Sequence, residues 1–174
     1  MKTLITGGAR SGKSAHALLL AERSPGAKIF IATAEAHDAE MRARIVKHKA
    51  ERGPGWITVE EPLNVAEAVT AHGAAGNIIV LDCLTLWASN LLEQADDAAF
   101  ARNADELAAA AAGVAAAVIV VTNEVGLGIV PGDPLSRAYR DRLGLVNARL
   151  AAVCGRVILM VAGLPLMIKG EMKP

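Results

Sequence analysis

Short runs of β-branched and aliphatic residues recur along the chain, each almost free of polar positions. They are TLIT (3–6), KIFIAT (28–33), NIIVLD (77–82), AVIVVT (117–122) and RVILMV (156–161). A strand with one wet face alternates apolar and polar residues. Runs that are apolar throughout predict parallel strands buried on both faces. WITVEE (56–61) does alternate, through Trp56, Thr58 and Glu60, and predicts a weaker sixth strand. Between these runs, longer stretches rich in alanine, leucine and charge predict helices over 13–23, 36–51, 63–72, 84–93, 97–114 and 134–153. Strands alternating with helices predict an α/β fold, three layers around a mainly parallel central sheet.

The bulk properties narrow this further. At 174 residues, with no linker, repeat or low-complexity tract, residues 1–174 form a single catalytic domain on this reading. The chain is 53% hydrophobic but only 3% aromatic, so alanine, valine, leucine and isoleucine must fill its core. Eighteen basic residues balance eighteen acidic ones, and without a summed positive field generic nucleic-acid binding is excluded. The opening MKTLITGG is too short in apolar residues for a signal peptide. The stretch Leu107–Val121 is alanine-dominated, is broken by Gly113 and falls short of a membrane span. Cys83 and Cys154 stand alone, without disulfide or metal spacing. A cytoplasmic protein with no membrane insertion is the expectation.

Chemistry enters with GGARSGKS, residues 7 to 14, which fits G-x-x-x-x-G-K-[ST]. The motif follows a predicted strand and opens a predicted helix, the context a phosphate cradle requires. Backbone N–H groups along Gly7, Gly8, Ala9, Arg10, Ser11 and Gly12 would turn toward a phosphate, aided by the helix N-terminus. Lys13 would reach the terminal phosphates, and Ser14 would ligate Mg²⁺. A glycine-rich turn with an incidental lysine is the alternative, and the flanking strand and helix argue against it. Asp82, closing NIIVLD, suits a second Mg²⁺ contact, or the cap of the following helix. The motif predicts a P-loop NTPase-type fold that takes a nucleoside triphosphate, and by itself leaves open whether that is GTP or ATP and what reaction follows.

A histidine among bases raises a second possibility. In RIVKHKAERGPGW (44–56), Met41, Ile45 and His48 fall on one helical face, with Arg44 and Arg52 four residues to either side of His48. Alone, such a histidine is a solvated helix edge. Beside a bound triphosphate, the surrounding like charge disfavours imidazolium and leaves a lone pair free. A neutral imidazole next to an electrophilic phosphorus is a general base or a covalent nucleophile, and the pattern leaves both open.

ITGGARSGKS, the basic-flanked histidine segment, IIVLDCLTLWASNLL, VTNEVGLGIVPGDPLSRAYRDRLGLVNARLA and VAGLPLMIK together resemble one family. It is the bifunctional adenosylcobinamide kinase/adenosylcobinamide-phosphate guanylyltransferase of cobalamin biosynthesis. The resemblance runs from Leu4 to Lys169, departing at PGDP (131–134) and VCG (153–155). Many families share the P-loop; its combination with NEVGLGIVP and the basic-flanked histidine is specific.

The resemblance implies phosphorylation of adenosylcobinamide on its aminopropanol hydroxyl. Transfer of GMP from GTP to the new phosphate follows, through guanylylated His48. It implies a nucleotide site that adds Ala32, Thr33, Ala34, Lys49, Ala50, Glu51, Arg52, Glu60 or Glu61, and Asp82 to the P-loop, with Mg²⁺ on Ser14 and Asp82. Adenosylcobinamide and its phosphate are then the partners, and the chain a homo-oligomer, with a trimer as the state the resemblance suggests. NEVGLGIVP (123–131) reads as an apolar lip at a strand end. There Asn123 and Glu124 orient substrate or metal shell, or cap the strand. Trp87 reads as core; Trp56 stacks on a base or packs beneath the 52–56 turn. A P-loop kinase for another metabolite and a GTP-dependent switch share the cradle. The lack of an Asn-Lys-x-Asp guanine motif counts against the switch.

Overall fold

The computed structural model describes residues 1–36, 38–92 and 94–171, without the side chains of residues 40, 41, 44, 47, 48 and 51. Along the chain run β1 (Lys2–Gly7), α1 (Lys13–Glu22), β2 (Lys28–Ala32), α2 (Ala39–Arg52), β3 (Trp56–Glu60), α3 (Val65–Ala71) and β4 (Ile78–Asp82). Then come α4 (Leu84–Asn90), α5 (Asp97–Gly113), β5 (Ala117–Val121), α6 (Pro134–Val153), β6 (Arg156–Val161) and β7 (Leu164–Lys169). The seven strands form one sheet in the order β3-β2-β4-β5-β1-β6-β7. Every pairing is parallel except β6 with β7. The α/β, mainly parallel P-loop-type architecture expected from the sequence is present.

Successive side chains on a strand point to opposite faces, so an all-apolar strand feeds two cores. Leu4, Ile29, Ile31, Ile79, Leu81, Val118 and Val120 lie in the core under α3, α5 and α6. Their neighbours Ile5, Phe30, Ile78, Val80, Ile119 and Val121 lie in the core under α1. Ala17 and Ala21, four residues apart on α1, are fully buried, and their small size lets the helix sit close to the sheet. Each fully buried aliphatic side chain contributes roughly 1.5–3 kcal/mol. The sheet is thus the middle layer of three.

The register matters for function. Glu60 pairs with Ala32, Ala32 with Asp82, and Asp82 with Val121, so these strands end level with one another. In open parallel sheets ligands bind just beyond such carboxyl ends.

β7 lies beyond the strands predicted from the sequence. It returns from β6 through Ala162 (φ 51) and Gly163 (φ 83), the pair of positive φ values a tight primed turn needs. Pro165 sits near its start, which an edge strand tolerates. The PGDP departure also has a local explanation: Asp133 caps α6, accepting from Ser136 N at 2.8 Å, with Pro134 opening the helix. That hydrogen bond holds the Asp133 carboxyl below its ordinary pKa. Among the described residues, no helix is long and apolar enough to cross a membrane.

Candidate functional site

β1 ends at Gly7, and no other residue fits there. Its φ is 144°, and a Cβ would lie 2.4 Å from the Met160 carbonyl oxygen on β6. The loop then turns through Arg10 (φ 54°) and reaches Gly12 (φ 92°), which caps the start of α1. The loop is clasped from outside by Gly163 N, which donates to Ser11 O at 3.1 Å. Lys13, the first residue of α1, is buried, and its Nζ donates to Gly8 O at 2.6 Å across the cradle. Burial pulls its pKa below the ordinary lysine value, opposed by charge on Cys83 and Asp82. An ammonium so short of water gains more from a phosphate than an exposed one would.

The loop forms one wall of a cavity of about 540 Å³. Residues 9–15 line it, with Ala32 and Ala34 from the end of β2, Asp82 from β4, and Ile45, Lys49 and Arg52 from α2. Most of the nucleotide-site residues expected from the sequence therefore share one cavity. Ser14 and Asp82 both line it, and a hydroxyl with a carboxylate oxygen is the hard donor set that Mg²⁺ takes alongside substrate phosphates. The Asp82–Cys83 peptide bond is cis.

Arg52 is buried although it carries charge. Its guanidinium carbon lies 3.8 Å from the centre of the Phe30 ring, and Nη2 donates to Thr58 Oγ1 at 3.3 Å. Phe30 in turn meets the edge of Trp56, whose Nε1 donates to Glu22 Oε1 at 2.9 Å. Trp56 thus buttresses Phe30 from the outer strand and is not part of the cavity wall. Trp87 is core, its Nε1 bonded to Leu63 O at 2.9 Å.

Other expected residues lie beside the cavity. Thr33 is fully buried. Its Oγ1 donates to Cys83 O at 2.7 Å and accepts from Cys83 N at 2.9 Å, tying β2 to the β4–α4 junction. It holds Ala32, Ala34 and Asp82 in place. Glu60 pairs with Lys49 at the rim, while Glu61 accepts from Leu63 N and Asn64 N ahead of α3. Ala50 is exposed. Position 48 and position 51 fall within the last turns of α2; the side chains of His48 and Glu51 lie outside the described residues.

The end of β5 separates this cavity from a second one. Asn123 lines the first; Glu124 lines the second, of about 270 Å³, with Gly126, Arg140, Asp141 and Asn147. Glu124 joins the P-loop strand, accepting from Thr6 Oγ1 at 2.7 Å and donating its N–H to Gly7 O at 3.2 Å. Asn147 was not anticipated. It accepts from Thr122 Oγ1 at 2.7 Å and donates to Asn123 O at 3.0 Å, fixing the strand end. Its signal in the sequence is an amide on the buried Leu143–Leu150 stripe of α6.

Comparison with known proteins bears on this geometry. The family model for cobinamide kinase / cobinamide phosphate guanyltransferase matches residues 3–168. The bifunctional adenosylcobalamin biosynthesis protein CobP of Pseudomonas aeruginosa is 44% identical over 171 residues, spanning 98% of this chain and 99% of its own. The CobU proteins of Salmonella typhimurium and Escherichia coli are 43% and 40% identical, each covering 97% of this chain and 100% of their own. Among solved structures, a type III secretion system ATPase of pathogenic bacteria superposes with a TM-score of 0.54 at 14% identity. That match covers 95% of this chain and 56% of the ATPase. A Pyrococcus horikoshii OT3 protein superposes at 0.57 with 8% identity, over 98% of this chain and 87% of that one. These two likenesses concern the fold alone. The full-length relatives and the family match carry more: the chain belongs to the cobinamide kinase / cobinamide phosphate guanyltransferase family.

Proposed function

We propose that the chain is a bifunctional transferase that runs two reactions in the 540 Å³ cavity. In the first, the aminopropanol hydroxyl of adenosylcobinamide attacks the γ-phosphorus of ATP or GTP. The bond from that phosphorus to the β-phosphate oxygen breaks, the hydroxyl loses its proton, and the nucleoside diphosphate departs. In the second, an imidazole nitrogen of His48 attacks the α-phosphorus of GTP and pyrophosphate leaves. The resulting phosphoramidate is attacked by a phosphate oxygen of adenosylcobinamide phosphate. The P–N bond breaks, adenosylcobinamide-GDP forms and the imidazole is restored.

The observation that carries this reading is the meeting of the P-loop with the basic stripe of α2. Ile45, Lys49 and Arg52 line the same cavity as Lys13 and Ser14. Position 48 comes three residues after 45 and four before 52 on the same helix, a spacing that supports this reading. The loop N–H groups and Lys13 would hold the β- and γ-phosphates, which depart together when the α-phosphorus is attacked. Lys49 and Arg52 would stabilise charge developing there. Mg²⁺ on Ser14 and Asp82 would neutralise phosphate oxygens when bound. A covalent intermediate divides one transfer between bulky anions into two simpler displacements.

Incubation with adenosylcobinamide, GTP and Mg²⁺, followed by mass analysis of the corrinoid, tests the reading. Adenosylcobinamide phosphate should form first, then adenosylcobinamide-GDP with release of pyrophosphate. Phosphate product alone would reduce the enzyme to a kinase. We further propose a homo-oligomer in the cytoplasm, for which light scattering during size-exclusion chromatography gives the subunit number.

A further inference from the structure

The second cavity borders the P-loop strand through Glu124, and none of its lining residues lines the first cavity. Its lining mixes donors and acceptors: Arg140, Asp141 and Asn147 from α6, with Glu124 from the segment after β5. α6 carries Arg137, Arg140, Arg142 and Arg149. Arg137 donates to Pro131 O at 3.0 Å and Gly132 O at 2.6 Å. Arg142 pairs with Asp97, and Arg149 with Asp105. Arg140 alone has no hydrogen-bond or ion-pair partner among the described residues, although it is half-buried against Gly126. A guanidinium held in a cavity without a partner retains donors for a ligand.

Two further features indicate which ligand. A cavity lined by one guanidinium and two carboxylates is a poor trap for a free anion, but it suits primary carboxamides, which both donate and accept. The cavity's rim at Val125 and Gly126 continues into Leu127, Ile129 and Val130, all strongly exposed, with Ile129 98% exposed. An apolar ledge beside a mixed polar pocket matches a macrocycle with hydrophobic faces and amide-bearing edges.

We infer that the second cavity and the 127–130 lip form the seat of the corrinoid acceptor. Its peripheral carboxamides enter between Arg140 and Glu124, and the ring rests on Leu127 and Ile129. This rests on the bifunctional reading above. It also explains how one acceptor serves both reactions: the corrinoid stays across the β5 end while its aminopropanol arm reaches past Asn123 into the nucleotide cavity.

The test uses full-length Arg140→Ala and the double variant Leu127→Ser/Ile129→Ser. Three quantities are measured: KM for adenosylcobinamide in the kinase step, KM for adenosylcobinamide phosphate in GMP transfer, and GMP loading of the enzyme from GTP alone. Each variant should raise both KM values by about tenfold or more, as expected for a lost charged hydrogen bond or lost apolar contact. GMP loading needs no corrinoid and should stay within about twofold, which also shows that the fold is intact. Unchanged KM values in a wild type and variants that all make adenosylcobinamide-GDP would overturn the inference alone. A wild type that turns over neither corrinoid would refute the bifunctional reading. A double variant altered in subunit number but not in KM would make the lip a contact between copies, and would overturn its role as a ledge.

Discussion

The P-loop wall of the nucleotide cavity is held by its own backbone, whereas the α2 wall is held by side chains from other elements. Gly7 lies against β6 because nothing larger than hydrogen fits, Gly12 supplies the left-handed start of α1, and Gly163 clasps the loop from outside. On the α2 side, Arg52 rests on Phe30 and reaches Thr58, while Lys49 pairs with Glu60. A wall built from backbone is rigid and tolerates little substitution. A wall built from side-chain contacts can be weakened piece by piece while the protein stays folded. For the two reactions proposed in one cavity, this division fits: a fixed grip on phosphates from the P-loop, and an adjustable surface from α2.

That contrast can be broken most severely at Lys13. Lys13→Ala should lower both γ-phosphoryl transfer and GMP loading by roughly 10²–10³-fold, the scale of a lost electrostatic stabiliser. The melting temperature should not fall, since a poorly solvated ammonium disappears; steady-state kinetics and calorimetry check both. Next in size is Gly7→Ala. Its Cβ cannot occupy the space 2.4 Å from Met160 O, so the loop must shift. Backbone strain of roughly 1–3 kcal/mol, read in denaturant unfolding, should accompany loss of nucleotide affinity.

The α2 wall should respond more gently. Arg52→Ala should cost about 1–2 kcal/mol of stability through its aromatic and hydrogen-bond contacts. GMP loading should drop about tenfold while γ-transfer changes less. An equal fall in both rates would place Arg52 with the P-loop wall and erase the distinction. The smallest effect is expected at the rim. Lys49 and Glu60 are both substantially exposed, so Glu60→Gln should change stability by no more than about 0.5 kcal/mol, and less in high salt.

The same division governs what could be read from the sequence. The P-loop was legible because its geometry is local and its glycines stand within one short stretch. The inner strands were legible because burial on both faces leaves no polar positions in them. β7 was not, since an exposed edge strand containing Pro165 lacks that signature and its turn is Ala-Gly rather than Asn-Gly. Strand order depends on pairings between distant segments and carries no local mark. Thr33 could be placed at a strand end, but only its bonds to Cys83 show that it braces the site from within. Trp56 needed Phe30 and Glu22 beside it to be understood, and Asn147 needed Thr122 and Asn123.

If His48 of α2 carries GMP between donor and acceptor, the intermediate is a phosphoramidate that adds the mass of GMP to the protein. Intact-protein mass spectrometry after incubation with GTP and Mg²⁺, on the wild type and on His48→Ala, addresses it most directly. A single GMP adduct is expected on the wild type, labile in acid and stable in base, and no adduct on the variant. An adduct that persists in His48→Ala, or none on a wild type that still forms adenosylcobinamide-GDP, would contradict it.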